Sequence, residues 1–110
     1  MSMKGMKESK VLAQCLTFLR LHRVFSWRNN TGAAVAGKQI VHFGLVGSSD
    51  IIGIANDGRF LAIECKRENG GKLSDAQQLF LDKIRQHGGV ALVVHSVAEL
   101  EQQLKQEGVL

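Results

Sequence analysis

The chain has 110 residues, of which 45% are apolar and 22% charged, with a formal net charge of +4. At roughly 100–200 residues per domain this is one domain, residues 1–110, with an expected radius of gyration of about 13 Å, and its apolar content excludes a disordered chain. No apolar run approaches the roughly 18 residues of a membrane span, and Met1-Ser2-Met3-Lys4-Gly5 lacks the apolar stretch of an export signal, so neither a membrane partner nor secretion is expected.

Residues 7–22 space Val11, Leu12, Cys15, Leu16 and Leu19 on one helical face, which predicts an amphipathic helix. Val24-Phe25-Ser26-Trp27 reads as a short strand, and Arg28-Asn29-Asn30-Thr31-Gly32 as a polar turn. Residues 33–38 are small and glycine-flanked and read as a loop. Ile40, Val41 and Phe43 read as another short extended piece. Ile51-Ile52-Gly53-Ile54 and Phe60-Leu61-Ala62-Ile63 are apolar runs about Asn56-Asp57-Gly58, a hairpin signal. Both are apolar on both faces, which predicts a sheet covered on both sides. Ser74 and Gln77 have the form of a capping box. Leu79, Phe80 and Ile84 continue that helix to a stop at Gly88-Gly89. Residues 90–94 read as a buried strand, and Ser96 with Glu99 opens a last helix through Leu100 and Leu104. The order αβββαβα predicts an α/β fold, a mixed central sheet flanked by helices. Cys15 and Cys65 lie in separate apolar runs with no close pairing in sequence, which suits free thiols in a reducing cytosol.

Charge is unevenly placed. Residues 1–40 hold seven Lys/Arg and one acid, Glu8, whereas residues 41–110 hold seven Lys/Arg and nine acids. A basic N-terminal third is what a polyanion partner requires, and equally what solvated helix and loop surfaces show.

Chemistry concentrates on two strand ends. Side chains alternate along a strand, so Glu64 and Lys66 share a face and Cys65 points away. A three-residue Asn56-Asp57-Gly58 loop pairs Ala55 with Arg59 and sets Asp50 opposite Glu64. A two-residue Asp57-Gly58 turn sets Asp50 opposite Cys65 instead. In the first register two carboxylates stand with Cβ atoms about 5 Å apart, unfavourable unless a divalent cation lies between them. Oxygen ligands of this kind suit Mg²⁺ or Mn²⁺. A lysine on the same face can orient water or stabilise phosphoryl charge. The plainer reading of the same residues is a strand-end salt bridge from Lys66 to either acid.

Asp50 and Glu64-Cys65-Lys66, followed by a helix, resemble the PD-(D/E)xK nuclease signature. Arg28-Asn29-Asn30-Thr31-Gly32, Phe43-Gly44, Gly47-Ser48-Ser49-Asp50-Ile51-Ile52-Gly53, Gly58-Arg59 and Leu73-Ser74-Asp75-Ala76-Gln77 extend the resemblance to the VRR-NUC (virus-type replication-repair nuclease) branch. The similarity runs from about residue 8 to residue 96. It implies a restriction-endonuclease-like core, Mg²⁺ bound by Asp50 and Glu64 with the Cys65 carbonyl completing the ligands, and Lys66 assisting the attacking water. Gln77 matches a glutamine supporting the site, beside its reading as a helix cap. Glu8 matches a first-helix glutamate among the metal ligands, beside its reading as a helix-dipole partner. Ser49 stands where the general signature has proline. Arg28, Asn30, Lys38 and Ser48 are the candidates for nucleic-acid contact, Asn30 serving equally well as a turn cap. Trp27 reads as partly buried, and the four histidines as structural or surface. Small stand-alone members of this branch resemble phage-type resolvases acting on four-way junctions as homodimers, which implies the cytoplasm of a bacterial or phage-infected cell. A restriction-like or flap-directed nuclease with the same site, and a silent nucleic-acid-binding subunit, are the alternatives.

Overall fold

A computed structural model describes residues 5–110. Residues 1–4, on which the reading against an export signal mainly rests, lie outside the described residues. The elements in chain order are α1 (Glu8–Leu21), β1 (Phe25–Arg28), β2 (Gly32–Ala36), β3 (Gln39–Phe43), β4 (Ile51–Ile54), β5 (Phe60–Cys65), α2 (Asp75–Gln86), β6 (Val90–Val94) and α3 (Val97–Gln106). Strands β1, β4, β5 and β6 form one sheet in that order, antiparallel except for the parallel β5–β6 pair. The expected mixed sheet flanked by helices is present, and no helix among the described residues is long and apolar enough to cross a membrane.

The two faces of the sheet are filled differently. On one, Val11, Cys15 and Leu19 of α1 and Leu100 and Leu104 of α3 pack against Ile51, Leu61, Ile63, Leu92 and Val94. Cys15 and Cys65 meet there as free, buried thiols. The hydrogen bond with Cys15 and, after it, burial push the Cys65 thiol well above its ordinary range. On the other face only α2 is present. Leu81 packs on Ile52, Ala62 and Ala91, so the cover expected on both sides is complete over β6 and over β5 beyond Phe60, but not over β1 and the turn ends of β4 and β5. The outer edge of β6 is closed by side chains, with Arg85 Nη2 donating to Ala91 O at 2.9 Å and Gln103 Nε2 to Val93 O at 3.1 Å. Such cover prevents edge-to-edge pairing.

Residues 33–38 correct the sequence reading. They are not a loop, because β2 and β3 pair antiparallel about a two-residue Gly37-Lys38 turn. The alanine-rich stretch lacks the apolar–polar alternation that marks a half-buried strand, since every residue of both strands is exposed. The radius of gyration, 14.7 Å against the expected 13 Å or so, fits a hairpin standing off the sheet.

The β4–β5 hairpin decides the register left open by the sequence. Ile54 pairs with Phe60 and Ile51 with Ile63, and Ala55 N donates to Arg59 O at 2.9 Å. Gly58, at φ +91°, supplies the left-handed residue that a three-residue loop needs. Continued by one residue, this register sets Asp50 opposite Glu64.

Candidate metal and active site

The site forms where four elements end together: the N-terminus of α1, the start of β4 with the end of β5, and the N-terminus of α2. Glu8, Asp50 and Glu64 each offer a carboxylate oxygen, and these oxygens lie within 4.8 Å of one another. Two come from neighbouring strands, as the hairpin register dictates. The third arrives because α1 docks with its first turn at the strand ends. Asp50 Oδ2 accepts the Cys65 N–H at 2.8 Å, which ties the two strand ends together. The Cys65 side chain points into the opposite core, so only its main chain borders the acids.

Glu64 is 1% exposed and its Oε2 has no hydrogen-bond partner. Burial, the contact with Asp50 and the charge of Asp50 raise its carboxyl from 4.5 to about 9, with Glu8 adding to the rise and Lys66 opposing it. Three acids gathered around an unpartnered buried oxygen are unfavourable by themselves. The donor set is hard and oxygen-only, which fits Mg²⁺ or Mn²⁺.

Lys66, 6% exposed, makes no ion pair with either acid among the described residues. The strand-end salt bridge is therefore not what holds it. Its Nζ donates instead to Gln77 Oε1 at 3.1 Å. Gln77 Nε2 donates to Glu64 Oε1 at 3.1 Å. The same Gln77 carbonyl accepts the Ser74 N–H at 2.9 Å, while Ser74 Oγ accepts the Gln77 N–H at 3.1 Å. The capping box and the bridge to the site thus share one side chain, and the α2 terminus orients both Lys66 and Glu64. Gly47, at φ +82°, lets the loop before Asp50 lie against this terminus, where a Cβ would meet the Ala76 carbonyl at 2.5 Å.

A cleft of about 400 Å³ runs from the acids along α1, lined among others by Glu8, Leu12, Leu16, Arg28 and Asp50. Arg28 is thereby brought to the acids. Lys38 is not, since it sits at the β2–β3 turn. Ser48 directs its hydroxyl proton to Leu45 O at 2.7 Å. Asn30 is exposed, two residues beyond the end of β1. Ser49 is fully buried with an unpartnered Oγ.

Asn29 escaped the sequence reading. Its N–H donates to Asp50 O at 2.7 Å. Its Nδ2 donates to Ser48 Oγ at 2.7 Å and to Ser49 O at 2.9 Å. One residue at the end of β1 thus holds the three-residue stretch that presents Asp50. Its sequence signals were its places in a polar turn and in the Arg28–Gly32 segment of the family resemblance, and nothing local marks its partners some twenty positions on. Asn29→Ala is expected to destabilise the protein by about 1–3 kcal/mol, because it leaves the Ser49 carbonyl without a donor. Urea denaturation of the metal-free protein measures this, and an unchanged midpoint would refute the clamp.

The sequence model of the family described as the VRR-NUC domain matches residues 6–98. No curated protein and no solved structure gives a significant match to the chain.

Proposed function

We propose, because the chain belongs to the VRR-NUC domain family and is thereby a nuclease of the PD-(D/E)xK type, that it is a Mg²⁺-dependent endonuclease cutting branched DNA, a four-way-junction resolvase acting as a homodimer. The observation that carries the metal-dependent part is the group formed by Glu8, Asp50 and Glu64, with its orphaned Glu64 oxygen beside the Lys66–Gln77 pair. Glu8, Asp50, Glu64 and the Cys65 carbonyl would hold the cation. When bound, a divalent cation supplies Lewis-acid polarisation of a phosphoryl oxygen and acidifies water.

The chain's own residues supply the rest. The Lys66 ammonium, held in place by Gln77 Oε1, stabilises negative charge developing on the phosphoryl oxygens and orients the attacking water. Gln77 fixes the Glu64 carboxylate through its amide, so both groups are preorganised by a helix terminus. Asn29 keeps Asp50 in place. Arg28, at the mouth of the cleft, positions a phosphate of the strand by charge and donor geometry. Asn30, Lys38 and Ser48 are further contacts to the phosphate backbone, Ser48 after giving up its bond to Leu45. A homodimer suits the proposed substrate: two symmetric nicks require two sites, and one 12.0 kDa protomer offers little DNA-binding surface.

The test is cleavage of a labelled four-way junction beside a linear duplex of matched sequence and a flap, with Mg²⁺ or Mn²⁺. Paired symmetric nicks on the junction alone are expected. Cleavage of all three substrates would leave the nuclease and remove the junction specificity. Binding without cleavage in either metal would favour a silent binding subunit.

A further inference from the structure

All three helices end in the same backbone motif, with different residues at its left-handed position. In each, an N–H beyond the last turn bonds back to a carbonyl five residues earlier. Val24 N–H donates to Leu19 O at 2.9 Å, Gly89 N–H to Ile84 O at 2.8 Å and Val109 N–H to Leu104 O at 2.8 Å. The residue before the donor is left-handed, a position that favours glycine. It is Gly88 at φ +82° after α2 and Gly108 at φ +72° after α3, but Arg23 at φ +57° after α1. Arg23 is the only non-glycine residue with positive φ among the described residues. A Cβ is strained there and glycine is not, so local stability does not select this arginine. The helix dipole favours a cation at this end, and Arg20 in the last turn already supplies one.

What the position offers is a place on a groove that leads to the acids. The cleft that begins at Glu8 and Asp50 reaches Leu16 of α1. A second hollow of about 540 Å³ begins at Leu16 and is lined by Arg20, Arg23 and Ser26. Ser26 and Arg28 share one face of β1, Ser26 lining the second hollow and Arg28 the first. Together the hollows make one groove between α1 and β1, with the acids at one end and Arg20 and Arg23 at the other. Arg20 lies about 18 Å along α1 from Glu8, at roughly 1.5 Å per residue.

The charges on this groove are uncommitted. Arg59 bonds Asp57 and the Glu107 carbonyl, and Arg85 bonds Asp82 and the Ala91 carbonyl. Arg20, Arg23 and Arg28 make no ion pair and no side-chain hydrogen bond among the described residues. From Ser9 to Ser49 the chain carries five Lys/Arg and no Asp or Glu, so no carboxylate of this stretch competes for them.

We propose that Arg20 and Arg23 form a second phosphate-binding site, which holds the backbone of a duplex DNA arm about five nucleotides from the bond that is cut. Phosphates of one strand advance about 3.4 Å per nucleotide along a duplex, which sets that count over 18 Å or so. Guanidinium forks match phosphate oxygens in charge and geometry. The inference rests on the nuclease reading above and assigns the course of the DNA along the protein. Strain at Arg23 is the cost of putting a fork at that point.

The experiment is fluorescence anisotropy of a labelled duplex and a labelled four-way junction titrated with the full chain at several salt concentrations, with a chelator present so that no bond is cut. Arg20→Gln and Arg23→Gly are each expected to weaken binding about five- to tenfold and to lower the slope of log affinity against log salt by about one. Arg23→Gly is expected at the same time to raise the urea midpoint, because glycine relieves the left-handed residue. A variant that is more stable and binds more weakly has not lost affinity through damage to the fold. Arg23→Lys keeps the charge at the strained position and is expected to keep the salt slope. Lys83→Gln removes one charge from α2, on the other face of the sheet, and is expected to bind as wild type. Wild-type affinity and slope in both Arg20→Gln and Arg23→Gly overturn the proposal. So does an equal loss in Lys83→Gln, which would reduce the effect to net charge, or a slope in Arg23→Lys as low as in Arg23→Gly. Arg20→Gln alone carries the test should Arg23→Gly fail to fold. Junction cleavage with undiminished binding by the variants removes this site and leaves the nuclease. Arginine-dependent binding without cleavage in Mg²⁺ or Mn²⁺ removes the nuclease and leaves this site.

Discussion

Glu64→Gln is expected to lower DNA cleavage by at least about a thousandfold, roughly 4 kcal/mol of lost transition-state stabilisation, while making the metal-free protein more stable. The two effects have one cause. The Glu64 carboxyl is raised from 4.5 to about 9 by burial and by Asp50, so the metal-free folded protein holds a proton there at neutral pH. A carboxyl with a folded value above its unfolded value stabilises the fold fully below about pH 4.5, and this contribution is lost as the pH rises toward 9. Glutamine has the same shape and has no proton to lose. Below pH 4.5 the two proteins should therefore melt alike. The variant should gain with rising pH, by about 1–3 kcal/mol at pH 7. Thermal melts from pH 4 to 9, with and without Mn²⁺, measure this. Added cation should stabilise wild type and release a proton, and should do little for the variant. A pH-independent difference between the two would refute the buried-acid account.

Lys66→Met is expected to leave the fold and the cation site in place and to reduce cleavage by about 10²–10³-fold, the usual effect of removing one preorganised donor. Methionine replaces the buried aliphatic stem but not the ammonium. Gln77 Oε1 keeps its bond from Ser74 N–H, so the α2 cap survives. Removing a positive charge beside Glu64 should leave Mn²⁺ affinity unchanged or slightly tighter, and calorimetry measures that independently of turnover. Loss of cleavage together with loss of Mn²⁺ binding would mean that Lys66 holds the acids in place and does not serve the chemistry directly. Cleavage at the wild-type rate would remove Lys66 from the mechanism.

What the sequence determined by itself is local. Asn56-Asp57-Gly58 admits few hairpin loops, and alternation along the flanking strands sets Glu64 and Lys66 on one face with Cys65 opposed. Ser74 and Gln77 mark the start of α2, because the orphan N–H groups of a first turn need such acceptors. The apolar stripe of α1 and the run at residues 90–94 mark the core in the same way. Each pattern spans a few residues and is enforced by backbone geometry, so it is legible without the fold. The remaining features depend on groups far apart in the chain. The choice between Glu64 and Cys65 as the partner of Asp50 needed the observed register. Glu8 joins the acids only because α1 docks with that end at the strand termini. Asn29 becomes a clamp only when β1 pairs with β4 beside the Asp50 loop. Gln77 reaches Lys66 because the crossover returns α2 over the end of β5. The β2–β3 hairpin left no pattern, since strands exposed on every side carry no alternation between core and solvent. Long-range approach is set by how the apolar faces pack together, and a linear sequence records those faces without recording which will meet.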